Sequence, residues 1–367
     1  MNPARPGSGR PWGRLAGLSA LGGLLLAVLA LAGCGGSSSG PTAGNTTAAA
    51  TTSATTSRVA LGAPPLAQPT PAVLVLDFVP NAVHAGIYRA LAAGYYRQEN
   101  IRLAVVQPTS TTDTLKLIDS GRAEFGLADG LDIAQLIDAG GDAQSIMAIA
   151  QRPLGGLIGL ASEHLRSPAD LQGRDVGITG VASDLAVLDT EVTDAGGDPA
   201  RVHVVNVGFN GAAALSSGRL AAFTGYWPDD GVQLQVSGHP ISVFKLDAYG
   251  GPAYPGLEVF TTRRLLSADP ALARAFLAAT VRGYEDTIAD PARSVSDLIA
   301  ANPSLPRAFT AASLQAYLPL FNAGGVAVGT LPPAHMTALS SWMLAHGLIH
   351  HPISAARFAT DAYLPAS

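Results

Sequence analysis

The sequence predicts an α/β protein with two lobes, on the basis of three observations in its 367 residues. Short apolar runs alternate with helical patterns between residues 72 and 150, and the same alternation restarts after Gly173. A mainly helical stretch then follows Leu257. Strands that alternate with helices form mainly parallel sheets covered on both faces. Two such units followed by a helical return predict two lobes with a cleft between them.

The first unit contains four predicted strands and three predicted helices. The strands are short apolar runs at residues 72–77, 101–106, 123–127 and 143–150. The helices lie at residues 83–97, 111–120 and 131–139. Gly121 follows the second helix and Gly140 the third, which is typical of helix C-terminal ends.

The second unit and the return contain the remaining elements. Strands are predicted at residues 175–178, 202–205, 221–224, 241–245 and 257–261. Helices are predicted at residues 183–194, 212–217, 271–289 and 313–320. In open α/β sheets, ligands bind beyond the carboxyl ends of the strands. We therefore expect site residues directly after Leu76, Leu127, Ile178 and Thr224.

Composition excludes several classes of function. The chain has 22 basic and 27 acidic residues, a net charge of −5 and 13% charged residues. No cluster of Lys and Arg is present that could neutralise phosphates, so no nucleic-acid partner is expected. The single cysteine excludes a disulfide framework within the chain and a cysteine-rich metal site. The chain also lacks a Gly-x-x-x-x-Gly-Lys phosphate loop for ATP.

The N-terminal region has the pattern of an export signal. Residues 1–33 contain three arginines and no acid, and an apolar run ends immediately before Cys34. This pattern predicts a signal peptide, and the residues around Cys34 resemble a lipobox, in which the cysteine receives a lipid. The alternative is an uncleaved transmembrane anchor. Residues 35–70 are rich in Gly, Ser, Thr, Ala and Pro, which predicts that residues 34–70 form a disordered tether.

Several segments together resemble one protein family. The most specific is residues 76–88, followed by residues 94–96 and 99–101; weaker matches lie at residues 119–126, 167–177, 215–227 and 251–256. These segments resemble the solute-binding proteins of ABC importers, in the branch related to binders of thiamine pyrimidine precursors. The resemblance extends from about residue 73 to about residue 293.

This resemblance implies a bilobal periplasmic-binding-protein fold of type II, with a hinge and an interlobe cleft. Lobe 1 would comprise residues 71–162 and 253–367, and lobe 2 residues 163–252. The resemblance also implies an extracytoplasmic, lipid-anchored bacterial receptor. Such a receptor captures a small heteroaromatic ligand and delivers it to an ABC permease with its ATPase subunits. We expect a monomer without cofactor or metal. Within the same class, the ligand could instead be riboflavin, taurine, nitrate or an alkyl sulfonate.

A different class within the same fold family is a pyrimidine synthase that consumes pyridoxal phosphate and its own histidine. In the synthases that this chain resembles, the chemistry needs a lysine for a Schiff base and a cysteine-rich motif. The matching strand end here, residues 126–130, has no lysine, and the chain has no second cysteine. The sequence therefore favours a binding protein over a secreted enzyme.

Aromatic residues at strand ends are candidates for stacking on a flat ligand ring. Tyr226 and Trp227 follow an apolar strand and match the segment in which the family carries a pocket aromatic pair. Phe78 follows the first strand, where the family often has Trp. Packing between the lobes or in the core is the alternative for each of these residues.

Polar residues after the first strand could contact the edge of a heterocycle. Asp77 could accept hydrogen bonds from ring amino groups or could cap the next helix. Asn81 could contact the ligand or form a turn after Pro80. His84 could contact the ligand or serve as a structural histidine. No acid lies at metal-ligand spacing from it, so no metal is expected.

The second lobe supplies further candidates. Ser183 opens a helix and could hold a ligand oxygen or act only as an N-cap, and Asp184 in the same turn would repel an anion. Asp129, Asp230 and Tyr254 are additional candidate ligand-binding residues.

Overall fold

The computed structural model describes residues 64–109 and 111–366, and it contains ten strands in two five-stranded sheets. The strands are β1 (Thr70–Val75), β2 (Ile101–Val106), β3 (Phe125–Ala128), β4 (Ala143–Ala150), β5 (Gly155–Leu160), β6 (Asp175–Ile178), β7 (His203–Asn206), β8 (Ala222–Tyr226), β9 (Ile241–Lys245) and β10 (Leu257–Thr262). The bounds of β2, β4, β6 and β9 are those that the sequence predicted. The predicted signal peptide and the predicted lipidation site at Cys34 lie outside the described residues.

The two sheets have the same arrangement. Their strand orders are β2-β1-β3-β10-β4 and β7-β6-β8-β5-β9. In the first sheet β1 runs parallel to β2 and β3, and β10 runs antiparallel to β3 and β4. In the second sheet β6 runs parallel to β7 and β8, and β5 runs antiparallel to β8 and β9. Each sheet is therefore mainly parallel with one inserted antiparallel strand, which confirms the predicted α/β class.

Helices cover both sheets. They are α1 (Ala85–Ala93), α2 (Tyr95–Gln98), α3 (Thr111–Asp119), α4 (Gly130–Asp138), α5 (Ala182–Asp194), α6 (Gly211–Ser216), α7 (Val232–Val236), α8 (Arg263–Ala268), α9 (Pro270–Ala289), α10 (Pro291–Ala301), α11 (Arg307–Phe321), α12 (Pro333–Ala345) and α13 (Ala355–Phe358). The predicted helix at residues 313–320 is the second half of α11. Among the residues just described, no helix is both long and apolar enough to cross a membrane.

The chain changes sheets earlier than the predicted boundary at residue 163. Residues 155–160 form β5, which pairs with β8 and β9 in the second sheet. The crossing therefore falls between β4 and β5. The sequence did not predict β5 because three of its six residues are glycine, which is depleted in strands. The chain returns to the first sheet between β9 and β10, in an interval that includes the predicted boundary at residue 253.

The predicted disordered tether also extends too far toward the folded body. The backbone N–H of Leu66 donates to the Glu99 carbonyl, and Asn100 donates from its side chain to the Leu66 carbonyl. Thr70 already pairs with Ile101 as the first residue of β1. The segment from Leu66 to Thr70 is therefore part of the fold, because its backbone groups have partners there.

Close helix packing holds the helical return against the first sheet. Helices α1 and α9 cross where Gly86 and Gly283 meet, and a Cβ on Gly283 would lie 2.1 Å from the Gly86 carbonyl oxygen. The ring of Tyr284 covers Gly86, and its hydroxyl donates to the Val83 carbonyl. Helix α11 contacts both β4 and α7, so the return packs against elements of both lobes.

Candidate functional site

A cavity of about 160 Å³ lies between the carboxyl ends of the two sets of parallel strands. It brings together eight of the ten predicted ligand-binding residues, namely Asp77, Phe78, Asn81, Asp129, Ser183, Tyr226, Asp230 and Tyr254. These side chains follow β1 and β3, end or follow β8, open α5 or lie between β9 and β10. The rule that ligands bind at strand carboxyl ends thus located the cavity from sequence alone.

His84 does not line the cavity. It is fully buried, its Nε2 lies 2.8 Å from Asp77 Oδ1, and its Nδ1 accepts the backbone N–H of Asn81 at 3.1 Å. The Asn81 side chain accepts the N–H of Val83, which caps the 3₁₀ turn Ala82–His84. His84 is therefore a structural histidine that fixes Asp77 and Asn81, which do line the cavity.

Trp227 also lies outside the cavity lining. The residue follows β8 as the first residue of the helical turn Trp227–Gly231, and its backbone N–H donates to the Leu154 carbonyl at 3.1 Å. Tyr226 faces the cavity, whereas Trp227 packs beside the apolar cluster that includes Ile158 and Leu215. The Nζ atom of Lys245 lies 3.7 Å from the centre of the Trp227 ring. The structure therefore does not support the predicted stacking role of Trp227.

Phe209 is the ring that faces Phe78 instead. It follows β7, and its centroid lies 4.7 Å from that of Phe78 in an edge-to-face arrangement. Both rings line the cavity, and Phe209 is 55% exposed. Phe209 was not predicted as a site residue, because the strand-end rule was applied to four strands that did not include the predicted strand at residues 202–205.

Carboxyl groups dominate the polar surface of the cavity. Six aspartates line it, namely Asp77, Asp129, Asp132, Asp184, Asp229 and Asp230. The part of the lining that the structure describes contains no Lys, Arg or His. Asp132, Asp184 and Asp229 were not predicted as site residues. Carboxylates in the first turn of a helix are ordinarily explained by the helix dipole, so their positions in the sequence alone do not assign them to a ligand.

Asp129 connects the two sheets. It is the N-cap of α4, where its Oδ1 accepts the backbone N–H of Leu131 at 2.9 Å. The Tyr226 hydroxyl, from the second sheet, donates to Asp129 Oδ2 at 3.1 Å. The Tyr254 hydroxyl lies 3.5 Å from the same oxygen. The carboxyl group of Asp129 in the first lobe therefore forms a hydrogen bond with the Tyr226 side chain of the second lobe.

Three further aspartates lie in the segments that follow β6 and β8 and accept hydrogen bonds there. Asp184 Oδ2 accepts the backbone N–H and the hydroxyl of Thr179 at 2.8 and 2.6 Å. Asp230 Oδ2 accepts the backbone N–H of Tyr226 at 2.9 Å. The Ser313 hydroxyl donates to the Pro228 carbonyl at 2.8 Å, and Asp229 Oδ1 is a second, longer acceptor of the same hydroxyl at 3.3 Å. Ser183 is the second residue of α5 and not its N-cap, which is Val181.

Burial raises the pKa of several of these carboxyl groups toward or above neutral pH. Loss of solvation raises the pKa of Asp129 to about 8, with a smaller contribution from nearby Asp132. It also raises the pKa of Asp132 and of Asp229 to about 7, and that of Asp230 to about 6. Neighbouring carboxylates act in the same direction for Asp132 and Asp229. Some of the carboxyl groups in the cavity therefore carry a proton near neutral pH, and a cation bound beside them would favour the loss of that proton.

The geometry does not form a metal centre. No group of three or more His, Cys, Asp or Glu side chains in residues 64–109 and 111–366 is arranged to hold a metal ion. The aspartates approach the cavity from different strand ends, and many of their oxygens already accept hydrogen bonds from the protein.

Known proteins similar to this chain include binding proteins and enzymes. The family model described as "NMT1/THI5 like" matches residues 81–294. A formylaminopyrimidine-binding protein of Halalkalibacterium halodurans is 33% identical over 226 residues, which cover 61% of this chain and 68% of that protein. A riboflavin-binding protein of Chloroflexus aurantiacus is 29% identical, over 62% of this chain and 66% of its own length. A 4-amino-5-hydroxymethyl-2-methylpyrimidine phosphate synthase of Legionella pneumophila is 26% identical, over 59% and 69%.

Solved structures with the same fold include solute-binding proteins and a desulfurization enzyme, all of low sequence identity. The alkanesulfonate-binding protein of Xanthomonas axonopodis pv. citri superimposes with a TM-score of 0.64 at 16% identity, covering 80% of this chain and 99% of that one. A ligand-binding component of an ABC-type import system from Staphylococcus aureus gives a TM-score of 0.64 at 15% identity, covering 81% and 98%. These likenesses establish the bilobal periplasmic-binding-protein fold. With the family match over more than half of its length, the chain belongs to the NMT1/THI5-like family.

Proposed function

We propose that this protein is the extracytoplasmic solute-binding component of an ABC importer, and that it captures a small, flat heteroaromatic ligand. The observation that carries the proposal is the cavity between the two sheets, which combines aromatic rings with six carboxyl groups. Rings offer faces for stacking, and carboxyl oxygens accept hydrogen bonds from amino groups and protonated ring nitrogens. An aminopyrimidine, such as a thiamine precursor, presents both features.

The size of the cavity favours a ligand with one ring. Its volume of about 160 Å³ is below the roughly 300–1,000 Å³ of pockets that hold drug-sized molecules. A single substituted pyrimidine suits this volume better than the three fused rings of riboflavin. The relative from Chloroflexus aurantiacus that is named for riboflavin is also less similar than the one named for formylaminopyrimidine.

The charge of the cavity disfavours the anionic alternatives. Nitrate and alkyl sulfonates would face the six aspartates without a Lys, Arg or His in the described lining. Taurine carries a sulfonate as well as an amine, so one end of it would meet the same repulsion. Like charges in a poorly solvated site repel strongly, which supports a ligand that donates hydrogen bonds over one that accepts them.

Closure of the lobes would retain the ligand. Tyr226 reaches from the second sheet to Asp129 of the first, and the Phe78 and Phe209 rings meet across the same cleft. A ligand that contacts both lobes has a higher affinity for the closed state than for the open one, and it therefore shifts the equilibrium toward closure. The closed form would then dock on the permease, whose ATPase subunits supply the energy for import.

The proposed location follows from the family, the fold and the N-terminal sequence. Solute-binding proteins of importers act outside the cytoplasm, and the residues around Cys34 fit a lipid anchor. We therefore propose a monomeric receptor tethered to the outer face of a bacterial membrane.

The second candidate is an enzyme, because several relatives are named as pyrimidine phosphate synthases. A pyridoxal phosphate cofactor would need a lysine for its Schiff base and cationic groups for its phosphate. The chain has two lysines: Lys245 lies over the Trp227 ring, and Lys116 is on α3. Neither belongs to the lining of the acidic cavity. The residues present do not fit this cofactor, so we derive no catalytic step from it.

A ligand panel tests the proposed function. We expect 4-amino-5-hydroxymethyl-2-methylpyrimidine and its 5-formylaminomethyl counterpart to raise the melting temperature of the purified protein, since a ligand that binds only the folded state stabilises it. Riboflavin, taurine, nitrate and an alkanesulfonate are expected to have no effect. A shift with the sulfonate and none with the pyrimidines would overturn the proposal. A lysine-linked pyridoxal phosphate adduct found by mass spectrometry would favour the enzyme.

A further inference from the structure

We propose that the ligand of this cavity is a cation: an aromatic ring that carries a protonated amino group, which the aspartates bind as a positive charge. This inference rests on the proposed function and goes further, because neither a neutral pyrimidine nor a riboflavin would need a charged site. It is drawn from the charges, the free acceptor atoms and the rings that line the cavity.

The charge of the cavity is the first observation that supports a cationic ligand. Six aspartates line it, and the titratable groups that face them from the packed elements are His84, Tyr226, Tyr254, Glu258, Tyr284 and Tyr317. In the part of the chain that the structure describes, His84 is the member of this set that can carry a positive charge, and it is hydrogen-bonded to Asp77. The other five aspartates have no cationic partner within the cavity lining. A bound cation would supply one.

The carboxyl oxygens that accept no hydrogen bond from the described residues are the second observation. In the described structure, protein donors reach one carboxyl oxygen each of Asp77, Asp229 and Asp230. The second oxygen of each of these groups has no donor among the same residues. An ammonium group has three N–H donors and no acceptor, so it matches several carboxyl oxygens that converge on one space.

The aromatic rings that line the cavity are the third observation. Phe78 and Phe209 present rings to the same cavity, and Tyr226 and Tyr254 close another part of it. Aromatic faces attract cations as well as flat rings. A ligand with a ring and an adjacent ammonium group could therefore use both the rings and the carboxylates, whereas an anion could use only the rings.

The charge of the ligand can be measured through the protons that the aspartates release on binding. Burial raises the pKa of Asp129, Asp132 and Asp229 to about 7 or 8, so part of this set is protonated near neutral pH. A cation that binds beside these groups favours their ionised form and releases protons to solvent. A neutral ligand of the same shape has no such effect.

The test uses three probes that share one ring and differ in charge. They are 4-amino-2-methylpyrimidines whose 5-substituent is aminomethyl, hydroxymethyl or phosphorylated hydroxymethyl. We expect the aminomethyl probe to bind about tenfold more tightly than the hydroxymethyl probe, as charge-assisted hydrogen bonds are about twice as strong as neutral ones. Titration calorimetry in two buffers with different ionisation enthalpies should show net proton release for the aminomethyl probe only. The phosphorylated probe should not bind.

The outcomes separate this inference from the proposed function. If the hydroxymethyl probe binds as tightly as the aminomethyl probe without a difference in proton release, the charge inference is wrong and the pyrimidine proposal stands. Benzylamine is the fourth probe. If it binds while all three pyrimidines fail, the charge inference stands and the pyrimidine assignment is wrong. If no probe binds, both are wrong.

A pair of variants adds an independent readout. Asp229→Asn removes one negative charge from the cavity and keeps the side-chain oxygen that accepts from Ser313. We expect it to reduce the preference for the aminomethyl over the hydroxymethyl probe by several-fold. The control is Asp175→Asn, since Asp175 is 54% exposed and pairs with His203 on the surface. Equal preference in the two variants would count against the charge inference, and the wild-type probe series remains decisive if Asp229→Asn does not fold.

Discussion

Replacing Tyr226 with Phe removes a hydrogen bond that joins the two lobes. The Tyr226 hydroxyl donates to Asp129 Oδ2 at 3.1 Å, and the substitution keeps the ring that lines the cavity. The Tyr254 hydroxyl, 3.5 Å from the same oxygen, remains as a weaker partner. The variant should therefore destabilise the closed arrangement without disturbing either lobe.

The size of the effect depends on the protonation of Asp129. Because burial raises the pKa of Asp129 to about 8, the group is mostly neutral at about pH 7. A neutral hydrogen bond contributes about 1 kcal/mol, which corresponds to about a fivefold loss of ligand affinity. At about pH 9 Asp129 is ionised, its hydrogen bond is worth about 1.5–3 kcal/mol, and the loss should be at least about tenfold.

Titration calorimetry with an aminopyrimidine at the two pH values measures both effects. The control is Tyr249→Phe: Tyr249 lies in the second lobe, its ring packs against Phe244, and the described structure gives its hydroxyl no hydrogen bond. Unchanged affinity of the Tyr226 variant at both pH values would refute the reasoning, because the hydroxyl would then contribute nothing to closure. A loss that is larger at the lower pH would refute the assigned protonation of Asp129.

Three further predictions concern stability and the rings. Raising the pH from about 5 to about 9 should lower the melting temperature of the ligand-free protein, because the folded state holds protons on Asp129 and Asp229 that the unfolded chain has already lost; a constant value by scanning calorimetry would contradict this. Gly283→Ala should reduce the free energy of unfolding by about 1–3 kcal/mol in urea titrations, since its Cβ would meet the Gly86 carbonyl oxygen at 2.1 Å. Phe209→Ala should weaken ligand binding about fivefold, from the loss of about 1 kcal/mol of ring contact. Its melting temperature should change little, because the side chain is 55% exposed; unchanged affinity would argue against a ligand contact.

Sequence patterns predicted the order of the fold well where apolar runs have clear ends. Strands β2 and β4 are apolar segments whose flanking residues break the pattern, and their bounds agree with the prediction. Strand β5 was missed because its glycines are required by packing and not by propensity. A Cβ on Gly156 would lie 2.2 Å from the Phe244 carbonyl oxygen. Such a contact depends on a strand about 90 residues later in the chain and leaves no local signal.

The candidate site shows a second limit of sequence reasoning. The strand-end rule found the region of the cavity, but it did not give the direction of each side chain. Tyr226 and Trp227 are neighbours in sequence, yet the first lines the cavity and the second contacts Lys245 outside it. His84 turned inward because Asp77 and Asn81 provide partners for both ring nitrogens. These outcomes depend on local hydrogen bonding and on the change from strand to helical turn at Trp227, which composition and spacing do not determine.

The acidic cavity connects folding and binding through the same atoms. Burying carboxyl groups without cationic partners is unfavourable, and protonation relieves only part of that penalty. The rest of the fold must offset it, for example through the stacked Phe125 and Phe276 rings, whose centroids lie 3.9 Å apart. Leu or Asn at the cavity positions would give a more stable ligand-free protein. Carboxyl groups there are consistent with selection for a ligand that compensates their charge, so a cation should stabilise this protein increasingly as the pH rises through the raised pKa values.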